Sequence, residues 1–362
     1  MASFQTDKHS QQVLQATALH ASKLNSFHNF SEKWKYASAN SLAGNISDPL
    51  LTAQSFFEIG KNSSDSGFNF SLAAHTFAGC VPVFTHGSTA LKNRLIQPVS
   101  NGEFILTNAM TESSSGSNAF AMKTTAEKKG NEFVLNGVKT FCTNAPIANG
   151  ILVYALTDAS KGFFGGITCF LLEKGKHNYE VGPLQEKSGL KTSPMAEIFL
   201  NDVIVGEEQI IGKIGGGAMI FHESMNWERA CIASMHAGTM THICERTKNY
   251  INTKESGGKT IASHQGAQFR IADMYLRTEN AKMLAEKAAW TISQKKDATV
   301  DAAKAKIYTS EAFQFVAQEA IQLHGANGIL DSELMNYVSD AQASTIYSGP
   351  NDVLRELIAS RL

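Results

Sequence analysis

The chain has 362 residues, 43% of them hydrophobic and only 7 of them proline, the makeup of a compact globular protein able to bury one large core or two to three smaller ones. Lys and Arg number 32 against 33 Asp and Glu, a balance with no general attraction for nucleic acid or for an anionic membrane surface. The polar start MASFQTDKHSQQ has no signal-peptide core, no run of about 18 apolar residues occurs, and the five scattered cysteines form no CxxC pair, so a soluble cytoplasmic protein with reduced cysteines is expected.

From about Gln11 to Gln97 the chain reads as short helices broken by polar loops, among them SEKWKYASANSLAG, QSFFEIGKN and FSLAAHTFAGCVPVF; KNSSDSGFN near Asn62 reads as a surface loop. From about Glu103 to Gly212 the pattern switches to strands, at NEFVLNGVKTFCTNA, ILVYALT, GGITCFLLE and AEIFLNDVIV. Asn136-Gly137, between two β-rich runs, is the strongest short-range hairpin signal. IGGGA at Ile214 to Ala218 lacks both the strand-GxGxxG-helix setting and the Lys-Ser/Thr of a phosphate loop, and reads as a flexible connector. Beyond it, Phe269, Ala272, Leu276, Met283 and Trp290 predict one long amphipathic helix, and Ala303, Ile307, Ser310, Phe313, Ala317 and Ile321 a second. With a helix around Glu228 and a last one near Asp352 to Leu362, these predict an antiparallel four-helix bundle. The expected class is α+β, mainly α, with a helical domain over 1–102, a β domain over 103–213 and the bundle over 214–362.

Within MIFHESMNWERACIAS, Glu228 heads a stripe through Ile232, Met235, Thr239 and Ile243 at helical spacings, which puts a carboxylate on the inward face. Burial disfavours its ionised form and moves it toward the range where a general base works; a salt-bridged core glutamate beside Arg229 fits the same spacing. AMTESSSGSNAF, Ala109 to Phe120, crowds small hydroxyl and glycine residues at the start of the β domain, which suits a flat polar ring or a phosphate as well as a serine-rich turn. No GxSxG marks a serine nucleophile, and the 11 histidines show no HExxH or paired spacing, so no protein-held metal is expected.

TESSSGSN resembles the TEPxxGSD signature of the acyl-CoA dehydrogenase flavoprotein family, and NGVKTFCTNA its NGxKxFITNA strand. QLHGANG, Gln322 to Gly328, and IYSGPNDVLRE, Ile346 to Glu356, resemble its QxxGGxG and IYEGTxxIxRE segments, in the same order and spacing. The resemblance runs from about Phe30 to the C-terminus and implies an N-terminal helical domain, a central β-barrel and a C-terminal four-helix bundle. It further implies non-covalent FAD and oxidation of an acyl thioester, a base removing the α-proton while hydride passes to flavin N5. By the same resemblance Met110, Thr111, Ser117, Phe141 and Thr143 line the flavin on one subunit. Lys254, Gln265, Gln322 and Gly325 come from a neighbouring subunit, in a homo-oligomer that is a dimer of dimers. Ser117, Trp227, Arg229 and Tyr347 are the residues expected against the substrate.

Where most of that family carries the base as Glu in IYEGT, this chain has Ser348. A minority of the family carries it on the first bundle helix in a D-x-E-R type sequence, matched here by NWER and Glu228, while the backbone N–H of Ser348 remains able to polarise the thioester carbonyl. Other departures weaken the cofactor match: Lys254 replaces an arginine, Gly257 a phenylalanine, and Pro350 a threonine whose N–H is lost.

FSLAAHTFAGCVPVF, TNAPIANG, FLLEKGKHNYEVG, IFHESMNWE and YSGPND look most like the branch of that family that oxidises prolyl groups on peptidyl carrier proteins in natural-product biosynthesis. The implied partner is a prolyl carrier protein with a phosphopantetheine arm, and the implied final oxidant is electron-transferring flavoprotein or O2. A short or branched acyl-CoA dehydrogenase keeps the chemistry with another substrate, and a catalytically silent relative acting as a binding or assembly protein is the reading of another class.

Overall fold

The computed structural model describes residues 7–46, 48–116 and 121–362. The N-terminal third is helical: α1 (Lys8–Lys23), α2 (Phe30–Ala39), α3 (Pro49–Asn62) and α4 (Ser66–Ala73), continued by a π-helical turn (Ala74–Cys80), α5 (Val81–His86) and α6 (Thr89–Ser100). Asp7, Asn29, Asp48, Asp65 and Ser88 cap the helices that follow them, each side chain accepting an N–H of the first turn. The segment expected as a loose surface loop near Asn62 is instead a tight junction. Ser63, Ser66 and Gly67 are buried there, Asn69 Nδ2 donates to the Ser63 carbonyl, and Lys33 pairs with Asp65 at 2.7 Å.

The strands are β1 (Leu106–Ala109), β2 (Thr125–Lys129), β3 (Glu132–Thr143), β4 (Gly150–Leu156), β5 (Ile167–Glu173), β6 (Glu180–Val181), β7 (Met195–Gly206) and β8 (Ile210–Ile211), with a short helix α7 (Gly162–Gly166) before β5. They form one sheet in the order β6-β7-β3-β2-β4-β5-β8, with β1 added parallel to β4. Side-chain alternation along β4 sorts two cores. Ile151 and Val153 face Phe133, Phe170, Leu172 and Ile198 inside the curled sheet, while Leu152 and Tyr154 face the helices with Leu95 and Ile220.

Asn136-Gly137 does not make the hairpin. The reversal lies at Gly130–Asn131, since Lys129 pairs with Glu132, and β3 runs unbroken through Asn136. Gly137 sits instead at a β-bulge, where the register against β7 shifts between Leu135 and Gly137, at φ +154°, and a side chain there would collide with Thr124. The Asn136 side chain crosses to Asp202 on β7.

The glycine run is a close-packed passage into the bundle and not a loose connector: the Gly215 N–H donates to Thr168 Oγ1, and a Cβ at Gly217 would press on the Ile167 carbonyl. The bundle consists of α8 (Gly217–Thr253), α9 (Gln265–Ser293), α10 (Thr299–His324), α11 (Ala326–Leu330), α12 (Ser332–Ser344) and α13 (Asn351–Ala359), with a small β9–β10 ribbon (Glu255–Ser256, Lys259–Thr260) between the first two. α8, α9 and α10 pack pairwise; α12, not anticipated from the sequence, packs on α10 through Leu334, Tyr337 and Ala341 ahead of the final helix. The α9 stripe Phe269, Ala272, Leu276 and Met283 faces outward, and the buried stripe is Ala267, Met274, Thr278, Ala281, Ala285 and Ala288. The larger apolar side chains lie on the outer face, which inverts the usual inference from size to burial.

Candidate active site

Glu228 lies in the first half of α8, on the inward stripe the spacing predicts: Ile232, Met235, Thr239 and Ile243 are all buried, and Glu228 itself is only 7% exposed. Among the described residues it makes no ion pair with Arg229; the Arg229 Nε donates to the Ser348 carbonyl at 2.8 Å. Ser348 sits in the turn between α12 and α13 at φ +55°, and its hydroxyl donates to Glu228 Oε1 at 2.5 Å. Burial pushes the Glu228 carboxyl up from its ordinary value, with the Ser348 hydrogen bond and the Arg229 charge working the other way. Burial also brings the Arg229 guanidinium down to about 10. Among the described residues no acceptor takes the N–H of Ser348. Tyr347, one residue earlier, packs at a tilt against Phe70 of α4 with ring centroids 4.4 Å apart, and its hydroxyl meets His236 Nε2 at 2.5 Å. Trp227 is half-buried against the helical core.

Met110, Thr111, Phe141 and Thr143 come together at the start of the sheet. The Thr140 N–H donates to the Thr111 carbonyl at 2.8 Å, and Thr107 Oγ1 donates to the Thr143 carbonyl. A second β3 irregularity, between Lys139 and Cys142, puts Phe141 at φ +55° and turns its ring 62% into solvent, while Met110 is buried. Glu112 explains the acid of TESSS: it accepts the N–H groups of Lys123 and Thr124 and the Lys139 ammonium, and so pins both ends of the serine-rich loop. Ser117 lies outside the described residues.

Lys254, Gln265, Gln322 and Gly325 are brought to one end of the bundle, all exposed. Tyr250, one turn before Lys254, stacks on His324 at 4.1 Å and donates to its carbonyl, which ties the end of α8 to the end of α10. This group stands about 40 Å from Glu228 along α8, at 1.5 Å per residue. One chain therefore does not bring it to Glu228.

Residues 107–203 match the acyl-CoA dehydrogenase middle domain and residues 215–362 the acyl-CoA dehydrogenase C-terminal domain. The chain belongs to the acyl-CoA dehydrogenase family. It is 36% identical to an L-prolyl-[peptidyl-carrier protein] dehydrogenase from a Serratia species, over 91% of this chain and 88% of that one. A protein of the same name from Pseudomonas fluorescens is 32% identical over 86% and 83%. Among solved structures, the prolyl acyl carrier protein oxidase AnaB aligns with a TM-score of 0.94 at 30% identity, covering 99% of each chain. PigA with FAD and proline aligns at 0.93 and 32%, covering 99% of this chain and 98% of that one.

For a member of this family, the sequence reading left out the groups that support Ser348. Lys306 on α10 donates to the Gly349 carbonyl and to Asn351 Oδ1, each at 2.8 Å, and Asn351 in turn donates to Ser310 and Glu311. His236, stacked on Phe313, is held neutral by burial, which takes it down to about 3. Lys306 had a signal in the sequence: a lysine three residues from Ala303 and four from Ser310 falls on the same stripe of α10.

Proposed function

We propose that this chain oxidises a prolyl group carried as a thioester on the phosphopantetheine arm of a peptidyl carrier protein, with FAD as cofactor and Glu228 as the base that takes the α-proton. The observation that carries the reading is Glu228 itself. It is a buried carboxylate without an ion partner among the described residues, touching the one position where most relatives keep their base and this chain has a serine. The prolyl-carrier names of the relatives and the proline-bound neighbour support the substrate.

The residues fit the cofactor. Phe141, forced outward by its bulge beside the backbone of Thr111 and Thr143, offers a bare aromatic face at a polar edge that a flat ring system would cover. Lys254, Gln265, Gln322 and Gly325 would hold the diphosphate and adenine end from a second copy of the chain. The outward stripe of α9, with Phe269 61%, Leu276 62% and Met283 55% exposed, supplies an apolar face for a homo-oligomer, proposed as a dimer of dimers. Bound FAD supplies the two-electron acceptor; the final oxidant is electron-transferring flavoprotein or O2.

The remaining work belongs to the protein. The free N–H of Ser348 would polarise the thioester carbonyl, which lowers the cost of charge developing there. Glu228 takes the proton, and the rings of Tyr347 and Phe70 close one side of the slot to water. Purified protein is expected to be yellow and to release FAD on denaturation. Mixed with prolyl-loaded carrier, it should bleach its flavin, and the intact mass of the carrier should fall by two or four hydrogens. Bleaching by a panel of acyl-CoAs but not by the carrier would assign the substrate to CoA, and a colourless preparation that takes up no FAD would remove the reading altogether.

A further inference from the structure

Two consecutive carbonyls in the α12–α13 turn are each gripped by a buried cation from a different helix. Arg229 on α8 takes that of Ser348, and Lys306 on α10, 3% exposed, takes that of Gly349 while also holding Asn351 at the head of α13. Between the two grips, Ser348 occupies the left-handed region at φ +55°, which a residue with a Cβ enters only when its surroundings impose it. From that conformation its hydroxyl donates to Glu228.

We infer that Lys306 is a positioning residue for the oxidation: by holding the Gly349 carbonyl and Asn351 it fixes the left-handed turn that aims the Ser348 hydroxyl at Glu228, and so controls the base without touching substrate. The inference rests on the reading of Glu228 as that base. If the grip is lost, the turn relaxes toward an ordinary backbone conformation, the hydroxyl leaves Glu228, and the carboxylate loses a hydrogen bond that favours its ionised form. The groups that act on Lys306 are Arg229 and His236 on α8, Glu311 on its own helix and, paired with Glu311, Arg355 on α13. Burial, with Arg229 beside it, brings the Lys306 ammonium down to about 7. Charged or neutral, the amine carries the two hydrogens these contacts use.

The test uses the full-length FAD-loaded enzyme with prolyl-loaded carrier, comparing Lys306→Met, Ser348→Ala, the double variant, and Lys304→Met as an exposed control on the same helix. Lys306→Met is expected to move the acid limb of the kcat/KM profile up by about half a pH unit or more, with FAD content and Tm retained. Because it acts through Ser348, it should add little in the Ser348→Ala background. A limb left in place by Lys306→Met while Ser348→Ala moves it, or shifts that simply add, would overturn the proposal. Should Lys306→Met not fold, Lys306→Leu, which likewise removes the donor, is read by the same criteria. Glu228→Gln separates the two claims: wild-type activity in that variant removes the base assignment, whereas its inactivity beside an unmoved Lys306→Met profile removes only the role of Lys306.

Discussion

A carboxylate serves as a base only while ionised, and burial opposes ionisation. In Glu228 burial wins over the Ser348 hydrogen bond and the Arg229 charge, so its folded-state value stands above the ordinary 4.5. The native state then binds the extra proton between 4.5 and that raised value, and stability falls as pH rises through the window. With Glu228 as the proposed base, activity is expected to run the opposite way, being lost as pH falls through the raised value. Glu228→Gln should cost on the order of 10² or more in kcat, yet melt higher than the wild type at pH 8, with the two curves converging in acid. Ser348→Ala removes a contact that favours the ion, so the acid limb should move further up while the alkaline plateau stays within about tenfold; a downward shift of the limb would contradict this account. At this scale the sequence was informative about Glu228 and Ser348, because a helical stripe and a motif departure are local patterns. It was silent about the Gly349 carbonyl, 43 residues from Lys306, because backbone acceptors leave no mark in side-chain spacing.

Helix α8 can hold Glu228 accurately only if its own seat is fixed, and that seat is a glycine crossing. Gly60 on α3 faces the Met235 carbonyl and Gly238 on α8 faces the Phe57 carbonyl, so that a Cβ on either would overlap backbone that cannot step aside. Gly238→Ala is expected to destabilise by about 1–3 kcal/mol, measured by denaturant unfolding. It should also lower kcat, since Glu228 lies less than three turns away on the same helix. Unchanged stability would mean that the helices have room to part. Element types were legible from periodicity, and so were the strands at β4, β5 and β7. The hairpin at Asn136-Gly137 was misread because a bulge and a type I′ turn ask for the same residue, a glycine at positive φ, and only the partner strand distinguishes them. In α9 the alanines take the inner face because close helix packing excludes larger groups, which leaves Phe269, Leu276 and Met283 outside.

That outward face bears on the whole molecule. Glu228 and the Lys254–Gln265–Gln322–Gly325 group are about 40 Å apart on one rigid helix frame, so a single cofactor can meet both only if a second chain presents its bundle end to the first. An exposed stripe of large apolar side chains on a bundle helix is the kind of surface through which such a second chain packs. The two observations predict a linked loss. Leu276→Glu, or Leu276→Glu with Met283→Glu, places charge in the apolar face while touching nothing in the monomer core, so each chain should remain folded by circular dichroism. The particle mass from light scattering should drop to that of a smaller assembly, and FAD should wash out on gel filtration in parallel, although Phe141, Thr143 and Glu228 are untouched. A variant that dissociates yet keeps its FAD would show that one chain suffices for the cofactor and would take Lys254, Gln265, Gln322 and Gly325 out of its site. One that keeps both mass and FAD would mean that the assembly forms through another face.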